Sequence, residues 1–208
     1  MTTLQKITKA KLAIILSKLK NFETPKINLE QYTTDSEIAS GILWFAYMKG
    51  DIKEKTVADL GCGTGILGIG ALFLGAKKVF FLDSDKVAID ICKKNAKKFF
   101  QRAVFLCKDI RDFSEKVDTI IQNPPFGTKK KHSDKEFLKK AFDSAKVIYS
   151  FHKIETKDFV KKFSEHNGFS ITEIIEYEMP LKATYKFHKK KIKKIKVGCF
   201  RLERTNTN

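Results

Sequence analysis

The chain has 208 residues, 42% of them hydrophobic, enough to bury one substantial core and too apolar for a disordered chain. Its formal net charge is +17, from 41 Lys and Arg against 24 Asp and Glu, which points to a polyanionic partner, nucleic acid first. A merely lysine-rich proteome would bring matching glutamate, and here the acids lag behind. The four cysteines, Cys62, Cys92, Cys107 and Cys199, form no Cys-x-x-Cys pair. That argues for a reducing intracellular compartment, with no zinc site and no disulfide framework. No long apolar signal core follows Met1, and no apolar run approaches the length of a membrane span, so a soluble cytoplasmic protein is expected.

In chain order, residues 4–20 place Leu12, Ile15, Leu16 and Leu19 at helical spacing with lysines between them. Residues 21–34 read as irregular, and Pro25 ends any helix. Asp35 or Ser36 caps a helix running through Met48. Strands are expected at 56–60, 78–83, 104–107, 117–122 and 147–151, with helices at 66–74, 86–98, 134–146 and 155–167. Gly75 fits the carboxyl cap of the first of these helices. Two β-rich runs close the chain, 169–177 and 192–201, with no helix between them, as in an antiparallel hairpin. Strands alternating with helices mean an α/β fold, a doubly wound and mostly parallel seven-stranded sheet with right-handed crossovers. A single domain over 1–208 is expected, with a helical extension over 1–50 and a catalytic core over 51–208.

Asp59-x-Gly61-x-Gly63-x-Gly65 stands between a strand and a helix. Glycines let a backbone turn tightly and approach a ligand closely. The dinucleotide fingerprint has a different spacing, Gly-x-Gly-x-x-Gly. An acid ahead of the loop repels pyrophosphate but suits a cationic amino-acid group, which favours S-adenosylmethionine over NAD. The next strand ends in Asp83, placed to accept from ribose hydroxyls. The third ends at Asp109-Ile110, an acid for an adenine amine and an amide for a ring nitrogen. Asp85 is a substitute for Asp83 or a helix cap. The fourth strand runs into Asn123-Pro124-Pro125-Phe126. Two prolines cannot continue a central strand, so the chain leaves the sheet at a carboxyl end, where open α/β sheets bind ligands. Asn123 Oδ1 and the Pro124 carbonyl can each accept one N–H of an exocyclic amine, and Phe126 can stack on its base.

These motifs resemble Rossmann-like, S-adenosylmethionine-dependent amino methyltransferases. More narrowly, the chain is similar to the small archaeal and eukaryotic ribosomal-RNA adenine-N6 methyltransferases of the methyltransferase-like-five type. The narrower resemblance rests on Leu29-Glu30-Gln31-Tyr32, Asn123 through Lys129, Tyr149-Ser150-Phe151-His152-Lys153, and Tyr185-Lys186-Phe187-His188-Lys189-Lys190-Lys191. Thr33 departs from it, standing where relatives often have proline. The resemblance implies a cofactor site lined by Gln31, Thr34, Gly61, Thr64, Ile66, Asp83, Asp109 and Ile110. It also implies a small zinc-containing activator protein that adds a strand to the sheet edge, at Val79-Phe80-Phe81 or Val104-Phe105-Leu106.

RNA contact is expected from two lysine groups. Lys129, Lys130 and Lys131 follow the catalytic motif. From Lys182 to Lys196 the chain carries eight lysines and no acid, with Tyr185 and Phe187 interleaved and Lys189, Lys190 and Lys191 consecutive. Aromatics among lysines suit stacking on unpaired bases. His152, at the end of the fifth strand, is a candidate for substrate contact. No metal is called for. RNA adenine-N6 methylation leads, ahead of methylation of a protein glutamine amide or a DNA adenine, or a non-catalytic RNA-binding role.

Overall fold

The computed structural model describes residues 7–26, 34–125, 133–181 and 193–205. Seven strands form one sheet in the order β3-β2-β1-β4-β5-β7-β6. They are β1 (Thr56–Leu60), β2 (Lys78–Asp83), β3 (Ala103–Cys107), β4 (Thr119–Gln122), β5 (Val147–Lys153), β6 (Phe169–Leu181) and β7 (Lys193–Arg204). The first five are parallel. β7 runs antiparallel to both β5 and β6, so the chain doubles back at that end of the sheet. The helices are α1 (Lys9–Ser17), α2 (Ser36–Met48), α3 (Ile66–Phe73), α4 (Lys86–Asn95), α5 (Ser133–Ser144) and α6 (Lys157–His166).

The parallel strands are apolar on both faces because helices cover both. Val57, Val79, Phe81 and Ile121 point into a layer with Leu12 of α1, Ile42 and Leu43 of α2, Leu67 of α3 and Ile89 of α4. Ala58, Leu60, Phe80 and Ile120 point the other way, against Leu138 and Phe142 of α5 and Val160 of α6. Apart from α2, which ends at Met48 as expected, the helices end earlier than apolar spacing suggested. α1 starts behind Thr8, whose hydroxyl accepts from the Lys11 amide, and ends before Lys18. α4 stops at Asn95 and gives way to a 3-10 turn over Lys97–Arg102. Asp35 caps α2 by accepting from the amides of Glu37 and Ile38.

Strand order decides one open point. β2 lies between β1 and β3 and is not an edge, so Val79-Phe80-Phe81 cannot accept an added strand. β3, with Val104-Phe105-Leu106, is an edge; β6 is the other. A buried ionic cluster fastens the α2–β1 connection beneath the sheet. Arg201 Nε donates to Asp51 Oδ2 at 2.9 Å, and the Tyr149 hydroxyl donates to the same oxygen at 2.6 Å. Thr119 Oγ1 donates to the Asp51 carbonyl at 2.7 Å, so β4, β5 and β7 all hold this one loop. Losing one partner of such a buried pair strands the other charge. Among the described residues no helix is long and apolar enough to cross a membrane.

Candidate active site

The site lies at the carboxyl ends of β1, β2 and β4. After Leu60 the chain turns through Gly61, Gly63 and Gly65, all at positive φ. Gly65 sits at φ 89°, and a Cβ there would fall 2.5 Å from Cys92 Sγ, so only glycine can join the turn to α3 this tightly. The Cys62 amide donates to the Leu82 carbonyl at 2.9 Å and ties the turn to β2.

Each strand-end acid has a local partner. Asp59 is 1% exposed, and its Oδ2 accepts the Gly68 amide at 2.8 Å. Burial pushes its pKa up to about 7 against that hydrogen bond, and the nearby Asp83 adds a smaller push. A carboxyl in that state gains from a cation placed beside it. Asp83 Oδ2 accepts the Gly63 amide at 2.9 Å, so the β2 acid braces the glycine turn. Burial raises its pKa as well. Asp85 caps α4 through the Val87 amide and meets Lys26 Nζ at 3.0 Å, which leaves the strand-end position to Asp83. Asp109 is more open. It accepts the Arg111 amide and pairs with the Arg111 side chain, while Ile110 beside it is buried.

At the end of β4, Asn123 Nδ2 donates to Thr34 Oγ1 at 3.0 Å, which fixes the amide plane. Asn123 Oδ1 is buried and has no hydrogen-bond partner among the described residues. Native proteins seldom leave a buried carbonyl oxygen unmet, because the desolvated acceptor costs about 1–3 kcal/mol. Gln122 Oε1 and Ser164 Oγ are buried in the same state, but of the three only Asn123 also lines the cavity at the glycine turn, where its oxygen could accept an incoming N–H. Pro124 is buried and Pro125 half-buried.

His152 does not stand at the surface. It is 1% exposed, packs edge-on against Phe200 at 5.7 Å, and is kept neutral by burial, which lowers its pKa to about 3. The expected substrate contact is therefore corrected to a place behind the site. Gln122 Nε2 donates to Ser150 Oγ at 3.0 Å, and Ser150 Oγ lies 2.7 Å from His152 Nε2. This buried chain supports the residue that precedes Asn123.

One small cavity, about 40 Å³, is lined by Thr34, Asp59, Gly61, Gly63, Thr64, Ile66 and Asn123. These residues were expected to share a site, and the fold brings them together. Asp83 touches the same turn from outside the cavity, and Asp109 and Ile110 sit one strand further along, at the end of β3. Gly65 is the α3 N-cap behind the turn. Phe22 also lines the cavity, and the sequence did not suggest it. Gln31, Phe126, Lys129, Lys130, Lys131, Tyr185, Phe187, Lys189, Lys190 and Lys191 lie outside the described residues. Among the described residues no group of three His, Cys, Asp or Glu is placed to hold a metal ion.

The arrangement suits a ligand with a cationic end near Asp59, a backbone-hugging middle at the glycines, and a reacting amine at Asn123. Comparison with known proteins gives the family. Residues 35–148 match the family model of the methyltransferase small domain. An uncharacterized protein of Methanocaldococcus jannaschii is 43% identical over 95% of each chain. The rRNA N(6)-adenosine-methyltransferase of Danio rerio is 39% identical over 91% of this chain and 96% of its own. The crystal structure of a Pyrococcus horikoshii protein superposes with a TM-score of 0.88 at 43% identity, covering 95% of this chain and 98% of that one. By its matched domain and its full-length relatives, the chain belongs to the methyltransferase small-domain family, in the branch that holds the rRNA N(6)-adenosine-methyltransferases.

Proposed function

We propose that the protein transfers a methyl group from S-adenosylmethionine to the exocyclic N6 of an adenine in RNA, ribosomal RNA above all. Three relatives spanning animals carry the name of that activity, at 31–39% identity over most of both chains. The orphaned Oδ1 of Asn123 carries the reading within the structure. When bound, the cofactor supplies a methyl group on a sulfonium, an electrophile that needs no metal.

The chain's own residues supply the rest. Asp59 holds the amino end of the methionine moiety. The turn over Gly61, Gly63, Thr64, Gly65 and Ile66 lets the ligand lie against backbone. Asp83 accepts from the ribose, and Asp109 with the Ile110 amide reads the cofactor's adenine; Gln31 completes that site. The adenine amine of the substrate is a poor nucleophile because its lone pair is delocalised into the ring. Asn123 Oδ1 and the Pro124 carbonyl each accept one of its N–H groups, which favours pyramidal nitrogen and strengthens toward the transition state. Thr34 keeps the Asn123 amide from rotating. Pro125 fixes the bend and Phe126 stacks on the base, which must leave its own stack or pair to arrive. Lys129–Lys131 and Lys189–Lys191, with Tyr185 and Phe187, hold the phosphate backbone and unpaired bases.

A small zinc-containing activator that adds a strand at β3 is part of this reading. β3 is an edge, and Phe100 beside it is 69% exposed and 6.5 Å from Phe105 of that strand. Apolar edges of this kind are what strand addition covers. Calorimetry tests the cofactor half directly. S-adenosylmethionine should bind with measurable heat and NAD with none; the reverse result overturns it.

A further inference from the structure

We infer that residues 20–26 form a strap across the cofactor mouth, and that Asn95 is the latch that holds it shut. The inference rests on the cofactor reading above. Asn95, the last residue of α4, clasps the strap from both sides. Lys20 donates its amide to Asn95 Oδ1 at 2.9 Å, and Asn95 Nδ2 donates back to the Lys20 carbonyl at 2.9 Å. The same Nδ2 also donates to the Thr64 carbonyl of the glycine turn at 3.0 Å. One side chain thus joins the amino-terminal segment to the loop that meets the cofactor. Two residues on, Phe22 lies over Gly63, where an added Cβ would stand 3.8 Å from its ring. At the far end of the strap Lys26 meets the carboxylate of Asp85, which is 8% exposed and sits two residues beyond Asp83.

The volume under Phe22 bears on how the strap works. Cavities that hold ligands of this size run to roughly 300–1,000 Å³. With Phe22 in place the cavity measures about 40 Å³. The space beneath Phe22 can take only the amino-acid arm of such a ligand, since Asp83, Asp109 and Ile110 lie outside it. On this inference Phe22 swings out for loading and product release, and the Asn95 hydrogen bonds oppose that motion. A strap fastened to the glycine turn rather than to the sheet reports directly on what the turn holds. Neither Asn95 nor Phe22 touches the reacting atoms; both act as positioning residues for the cofactor.

The test is stopped-flow release of S-adenosylhomocysteine from the full-length protein, with amide hydrogen exchange alongside. Asn95→Ala, which removes three hydrogen bonds, should speed release by at least about tenfold, and Phe22→Ala, which removes the ring over Gly63, should speed it in the same direction. Phe22 is half-buried, so its truncation leaves the fold intact and carries the test if Asn95→Ala misfolds. In the wild type, S-adenosylhomocysteine should slow exchange of the Lys20 amide, and Asn95→Ala should abolish that slowing. Release rates equal to wild type in a folded Phe22→Ala, or Lys20 exchange indifferent to the ligand, overturn the strap while leaving the cofactor reading standing. A wild type that binds no S-adenosylhomocysteine overturns both.

Discussion

Asn123 has a donor bonded to Thr34 and an acceptor without a partner among the described residues, and the proposed chemistry turns on that acceptor. Replacing it with alanine should cut turnover at least about a hundredfold, the scale seen when one positioned polar group is removed from a reacting centre. S-adenosylmethionine affinity, measured by calorimetry, should stay within a few-fold of wild type. Asp59 gives a pH signature. Its folded pKa of about 7 lies above the ordinary 3.8, so between those values the folded state binds more protons than the unfolded one. Stability should therefore fall as pH rises from about 4 to 7 and level off above. Asp59→Asn should flatten that slope and stabilise the free protein at pH 8 by on the order of 2–4 kcal/mol, read by denaturant unfolding. The same substitution should weaken cofactor binding. The glycines and strand-end acids were legible in the sequence because their chemistry is local to one turn. Phe22 and Asn95 were not. Phe22 lies in a stretch with no periodicity, and Asn95 reads as one more polar helix position until the fold brings Lys20 against it.

Elements were legible where apolar spacing and caps agree, as in α2 behind Asp35 and in α3 closed by Gly75 at φ 91°. Strand order was not, because adjacency in a sheet is set by crossovers and leaves no mark on a single strand. β2 and β3 look alike as apolar runs, yet one is central and the other an edge. α2 and α3 approach so closely that a Cβ on Gly70 would fall 2.3 Å from Leu43 Cδ1. Gly70→Ala should destabilise by about 1–3 kcal/mol in thermal unfolding, the usual cost of overpacking, although alanine is the better helix former. At the exposed edge, Phe100→Glu should leave the isolated protein's unfolding midpoint unchanged and abolish capture of the proposed activator, measured by coexpression and co-purification. Capture that survives the charge places the activator elsewhere.

The whole molecule carries a formal net charge of +17, which suits a polyanionic partner. Lys189, Lys190 and Lys191 changed to alanine should lower the salt slope of RNA binding by about one unit for each phosphate no longer neutralised. Cofactor affinity should not follow, since the glycine turn lies on β1 and α3. The charge alone names no substrate; that choice rests on Asn123 and on the relatives. The most direct measurement is methyl transfer itself. Ribosomal RNA from cells deleted for the protein would be incubated with purified protein, any activator and S-adenosylmethionine, then digested and its nucleosides quantified by mass spectrometry. N6-methyladenosine should appear at a defined site with wild type and not with Asn123→Ala. Methyl groups found on another base or on ribosomal protein, with adenine N6 unmodified, would contradict adenine-N6 transfer.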